Sequence, residues 1–114
     1  MDPADVRVII ATVPPDDADA LAHSLLEQRL IACANVVPGI RSHYWWEGTI
    51  EHGEESLLVV KAPRALADRV VDAIRERHRY ENPEVLVLPV EGGSEAYARW
   101  VGREATGRPD DGPS

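Results

Sequence analysis

Two long strand-like segments stand back to back between Ile31 and Ala62, and only Glu47-Gly48 separates them. A two-residue link can only fold the chain back on itself as an antiparallel hairpin, and glycine tolerates the positive φ such a turn needs. With those two residues as the turn, Trp46 faces Thr49, Trp45 faces Ile50, Tyr44 faces Glu51 and His43 faces His52. Pro38-Gly39 interrupts the first arm, so a bulge or bend is expected there, and the proline demotes that strand to a sheet edge. The returning arm runs from Thr49 to Ala62, with Glu55 to Ala62 (ESLLVVKA) as its buried part.

The flanking segments complete the pattern. Val6 to Val13 is a β-branched run bounded by Pro14-Pro15, and its lack of alternation predicts a strand buried on both faces. Asp16 is the expected N-cap of a first helix, with Asp17 and Asp19 in its first turn and Leu21, Leu25 and Leu26 on one face, to about Leu30. Pro63 suits the first turn of a second helix, and Leu66, Val70, Ile74 and His78 share one side of it until Asn82-Pro83 breaks the pattern. Glu84 to Val90 reads as a last strand, with Pro89 marking another edge. Ser94 then caps a short helix carrying Tyr97, Trp100 and Val101. From Thr106 onward nothing apolar anchors the chain, so residues 1–105 are expected to form one domain and 106–114 a flexible tail.

The order β-α-β-β-α-β is that of an α+β, ferredoxin-like sandwich with a short C-terminal helix. Right-handed crossovers put the first and third strands in the centre, with both long helices on one face. The second strand becomes a long aromatic edge without lysines, a hazard unless another strand pairs with it, so an edge-strand-paired homo-oligomer is expected.

Twelve basic and 20 acidic side chains leave a net charge of −8, which disfavours nucleic acid and anionic membranes as partners. No apolar run reaches the ~18–20 residues of a membrane span. The acidic start, Met1-Asp2-Pro3-Ala4-Asp5, does not read as a signal peptide, so a cytoplasmic location is expected. The single cysteine, Cys33, excludes an intrachain disulfide.

Several segments together resemble one family. Leu30 to Ile40 (LIACANVVPGI) looks like its "LxACANxxPGI" segment, and Tyr44 to Gly48 like its hairpin tip. Val60-Lys61, His78 with Tyr80, Asn82 to Val85, and Tyr97 with Trp100 follow in the same order, from about Val6 to Glu104. The chain is similar in these respects to the CutA divalent-cation-tolerance family. The resemblance implies a homotrimer of ferredoxin-like protomers, interlocked through edge strands and similar in architecture to PII signalling proteins. It also implies tolerance of copper and other divalent cations, with no established reaction. Some members carry metal ligands on a first-strand Cys and a His-His pair; the matching positions here read Ala11, Arg77 and His78, so one of the three is retained.

The residues themselves leave bland and chemical readings side by side. Cys33 is either a small core hydrophobe or a soft donor for copper or zinc. His78 either caps its helix or ligates a metal. Lys61, the only lysine, either binds an anion or pairs with Glu84 or a hairpin glutamate. Tyr44 and Trp46 share one strand face and Trp45 the other; such aromatics serve an interface or stack on a planar ligand. Glu47, Glu51, Glu54 and Glu55 read as a solvated acidic hairpin. His43 and His52 oppose each other without a family counterpart, either as a solvated pair or as half of a zinc sphere.

The expected function is therefore a non-enzymatic homotrimer with weak divalent-cation binding. Cys33, His78 and Glu84 are the candidate metal donors, and Lys61, Tyr80, Tyr44 and Trp46 the candidate ligand-binding wall. No cofactor is required, and Cu²⁺ or Zn²⁺ are the ions considered. The alternative is a PII-like sensor taking a small anionic metabolite on Lys61, Arg77 and Arg79, although no glycine-rich phosphate loop is present. An enzyme would need an assembled nucleophile, base and oxyanion site, and none of Ser24, Ser42, Ser56, Ser94 or Ser114 stands in such a context.

Overall fold

The run Val6–Val13 forms the first strand, β1. In the computed structural model, which describes residues 1–109, β1 pairs antiparallel with β3 (Thr49–Pro63) on one side and β4 (Val85–Pro89) on the other. The remaining strand, β2 (Cys33–Trp46), pairs antiparallel with β3. The sheet order is β2-β3-β1-β4, so the first and third strands lie in the centre, as the crossover argument requires. Three helices accompany the sheet: α1 (Ala18–Glu27), α2 (Ala67–Arg77) and α3 (Glu95–Glu104).

Ile9, Ala11 and Val13 of β1 face α1 and α2 together with Leu58, Val60 and Ala62 of β3. Leu25, Val70 and Ile74 close this core from the helices, each with no exposed surface. A second, smaller cluster forms where Ala98 and Val101 of α3 pack against Val6 and Ala32. The intervening residues of the strands share the other face of the sheet. Ladder partners put Val8 beside Lys61, Ile10 beside Val59 and Leu86, and Leu57 beside Val37 on that face. No helix covers its middle: Leu86 is 54% exposed, Val37 44% and Leu88 42%. β1 is thus buried on one face and only half-buried on the other, because its second apolar face lacks a partner within the chain.

The helix ends differ from the sequence reading. The segment Pro15–Asp17 forms a short 3₁₀ turn, so α1 starts at Ala18 and Asp16 caps nothing. α1 ends in a Schellman motif: the Leu30 N–H reaches the Leu25 carbonyl at 3.2 Å, and Arg29 takes the left-handed φ of +58° usually given to glycine. The Arg29 guanidinium compensates by donating to the Glu104 carboxylate at 2.9 Å and to the Glu104 carbonyl at 3.2 Å. Its own carbonyl accepts the Gly107 N–H at 2.8 Å, so the chain just after α3 is held to the end of α1. Of the segment expected to be a flexible tail, residues 110–114 lie outside the described residues.

Beyond the pair Val13 and Ser56, β2 and β3 continue alone as a two-stranded arm. Seven residues of rise make it roughly 23 Å long. Glu47 at φ +48° and Gly48 at φ +84° form its turn, and the pairs Trp46–Thr49 to His43–His52 stand in the register set by that turn. Val37 faces Leu57 but Ile40 faces Glu55, so β2 carries one extra residue at Pro38-Gly39, with Gly39 at φ +72°. The side-chain period of a strand is two, so one inserted residue reverses every face after it. Tyr44 and Trp46 therefore lie on the same open face as Cys33 and Asn35.

Candidate functional site

The open face carries two clusters. At the α3 end, Cys33 and Lys61 are ladder partners, and Asn35 follows Cys33 on the same face. The Asn35 Oδ1 accepts the Lys61 ammonium in a close hydrogen bond, and the Cys33 Sγ–H points to the same oxygen at 4.0 Å. Tyr97 stands over Cys33 from α3, where the Ser94 Oγ caps the helix by accepting the Tyr97 N–H at 3.1 Å. Burial raises the Tyr97 hydroxyl above the ordinary tyrosine range, and the Cys33 charge and hydrogen bond add to the shift.

The second cluster lies where the arm meets the segment after α2. A cleft of about 560 Å³ is lined by Tyr44, Trp46, Glu55, Tyr80 and Glu84, together with His43 and Asn82. Glu55 is only 8% exposed and its carboxylate lies near the Tyr80 hydroxyl. Burial raises the Tyr80 hydroxyl first, and the nearby Glu55 charge raises it further, because an anion beside a phenol opposes a second negative charge. With the folded value above the unfolded 10.0, the native state keeps a proton that the unfolded chain has lost, so Tyr80 withdraws stability as pH climbs past about 10. Glu55→Gln should bring Tyr80 ionisation to lower pH in an ultraviolet titration; an unmoved curve would disconnect the two side chains.

His78 holds this segment in place. Its Nε2 lies 2.7 Å from the Thr12 carbonyl, and its Nδ1 accepts the Tyr80 N–H at 3.2 Å. A carbonyl only accepts and an amide N–H only donates, so the ring is the neutral tautomer protonated at Nε2. The Tyr80 ring packs on it with centroids 4.6 Å apart. Both nitrogens are thereby engaged within the chain, and His78 acts here as the clamp between α2, β1 and the cleft.

The structure thus brings together Tyr44, Trp46, Tyr80 and Glu84 in one place and Cys33 with Lys61 in another. Thr12 at the cleft and Val8 beside Lys61 are four residues apart on β1, so about 13 Å of strand separates the two clusters. The candidate donors Cys33, His78 and Glu84 do not converge within one chain, and among the described residues no group of three or more His, Cys, Asp or Glu could hold a metal. Lys61 bonds Asn35 rather than Glu84 or a hairpin glutamate. Of the three cations of the anion-sensor reading, Arg79 pairs with Asp17 at 2.7 Å and Lys61 is engaged by Asn35. Glu55 is the member that sequence reasoning missed. In sequence it reads as one of the solvated hairpin acids, although its alternate position in the run Glu55, Leu57, Val59, Lys61 puts it on the half-buried face.

Residues 7–104 match the family model for the CutA1 divalent ion tolerance protein. The divalent-cation tolerance protein CutA of Pectobacterium atrosepticum is 43% identical over 98 residues, 85% of this chain and 89% of that protein. The chloroplastic protein CutA 1 of Oryza sativa is 41% identical over 95 residues, 82% of this chain and 54% of the relative. This chain thus spans about half the length of the plant relatives it matches. The crystal structure of CutA1 from Oryza sativa superposes with a TM-score of 0.84 at 39% identity, covering 88% of this chain and 93% of that one. The chain belongs to the CutA divalent-ion-tolerance family.

Proposed function

We propose that this protein is a non-enzymatic, ferredoxin-like homotrimer that serves tolerance to divalent cations by binding copper or zinc weakly. The family match over residues 7–104 carries the reading. The chemistry is consistent with it. The cleft offers the hard oxygens of Glu55 and Glu84, and Cys33 offers one soft sulfur on the same sheet face. Neither set fills a coordination sphere, so an ion held by these donors with stoichiometry needs partners from more than one chain.

An open apolar face with Leu86, Leu88 and Val37 in water is what such an assembly would cover. The long edge of β2 offers unpaired backbone groups to a neighbouring strand. Three of the serines have structural roles: the Ser24 hydroxyl accepts from Gln28 at 3.1 Å, Ser94 caps α3, and Ser56 is 1% exposed. No described helix is long and apolar enough to cross a membrane. A cytoplasmic site of action is part of this proposal; the rice relative is named chloroplastic.

Native mass spectrometry of the tag-free chain, with one equivalent of Zn²⁺ or Cu²⁺, tests the reading. A three-chain mass with a fixed number of ions, lost on Cys33→Ser or Glu84→Gln, is the expected result. A single-chain mass, or a smear of adducts indifferent to both substitutions, would overturn it.

A further inference from the structure

Four histidines are present, and the fold uses two of them. His78 spends both nitrogens on backbone groups, and His23 pairs with Glu27 at 2.5 Å along α1. The other two, His43 and His52, face each other across the arm, and among the described residues neither ring has a hydrogen-bond partner. Their centroids are 5.9 Å apart and their planes 31° from parallel. Both are exposed, on the arm face opposite Tyr44 and Trp46.

We propose that His43 and His52 form a two-imidazole clip that takes one borderline divalent ion, Cu²⁺, Ni²⁺ or Zn²⁺, on the arm. This rests on the divalent-cation reading and adds a site to it. Two imidazole nitrogens at ~2.0–2.1 Å from a tetrahedral ion place their ring centres roughly 5 Å apart. The observed separation needs less than about an ångström of closure, within the reach of ordinary side-chain rotation. The register that opposes the two rings is fixed by the Glu47-Gly48 turn, so little order remains to be imposed when the ion arrives.

Imidazole suits these ions and not Mg²⁺ or Ca²⁺, which prefer oxygen. Glu54 follows His52 on the same face and attracts a cation; its ladder partner Arg41, beside His43, opposes it. Water completes the sphere, so binding is modest and the ion exchanges readily. By strand alternation the two rings lie on the arm face opposite Tyr44 and Trp46, with His43 also bordering the cleft, and the clip uses none of Cys33, His78 or Glu84.

Zn²⁺ titration of the tag-free chain, followed by calorimetry and by the imidazole C–H resonances, decides the matter. Losing a direct ligand costs at least what losing an outer-shell partner does, about tenfold in affinity. His43→Ala and His52→Ala should each weaken one binding event by that much, and the double variant no further, because one ion needs both rings. The two resonances should shift together in the wild type, whereas Cys33→Ser should leave them unchanged. Zn²⁺ binding whose number of events and affinities are unchanged in both histidine variants would overturn the clip and leave the cation reading standing. No uptake by the wild type would overturn both.

Discussion

Leu86→Lys combined with Leu88→Lys is expected to yield a folded single chain. In the lone protomer these side chains are 54% and 42% exposed, so lysines there meet water and β4 keeps its ladder with β1. In the proposed homotrimer a neighbouring chain covers the open face, and the same two positions would then bury two ammonium groups. An unpaired buried charge costs several kcal/mol even after relaxation, and a symmetric assembly repeats that cost in every copy. Light scattering should fall from the three-chain to the one-chain mass while the far-ultraviolet dichroism stays unchanged. A three-chain mass that survives both lysines would mean that another surface joins the protomers.

Leu58→Ala is the substitution expected to damage the protomer itself. Leu58 has no exposed surface, sits on the central strand between Ala11 and Val36, and lies under the two long helices. The small neighbour Ala11 cannot fill the space that is left. Truncating a buried leucine costs about 2–5 kcal/mol from lost transfer energy and the residual cavity. Total stability of a domain is about 5–15 kcal/mol, so the urea midpoint should drop sharply. The comparison needs equal chain concentrations, because assembly adds to apparent stability by mass action. A loss below about 1 kcal/mol would mean that β3 is not packed as described.

The element order, the central pair of strands and the hairpin register were legible in the sequence because each rests on a local rule. Glu47-Gly48 can make only one kind of link, and four ladder pairs follow from it by counting. The Ser94 cap likewise needs only its own helix turn. What was illegible depends on contacts distant in sequence. Val6–Val13 reads as doubly buried because apolar residues look alike whether a helix or another chain covers them. Asp16 satisfies the cap preference, yet the Pro15–Asp17 turn moves the helix start past it.

The site shows the same division. His78 looks like an available donor in sequence, and only the fold reveals the Thr12 carbonyl and Tyr80 N–H that occupy its two nitrogens. Lys61 meets Asn35, which lies 26 residues away and becomes a neighbour only through the β2–β3 ladder. The grouping of Tyr44, Trp46, Tyr80 and Glu84 around one cleft depends on the Pro38-Gly39 bulge. Its presence is readable from composition, but its effect on the faces appears only when the ladder is counted.

Among the described residues the arm beyond Val13 and Ser56 has no third strand paired with it. A two-stranded ribbon in water is marginal on its own. Its persistence is therefore governed from outside, by whatever presses against Trp45 and Ile50, which are 72% and 64% exposed. In the proposed homotrimer such a ribbon would act as a latch: loose while the protomer is alone, firm once a neighbour closes on it. Anything that gripped the ribbon would then also adjust how long neighbouring chains stay together, so an event at the tip would be felt at the open face without any change in the core.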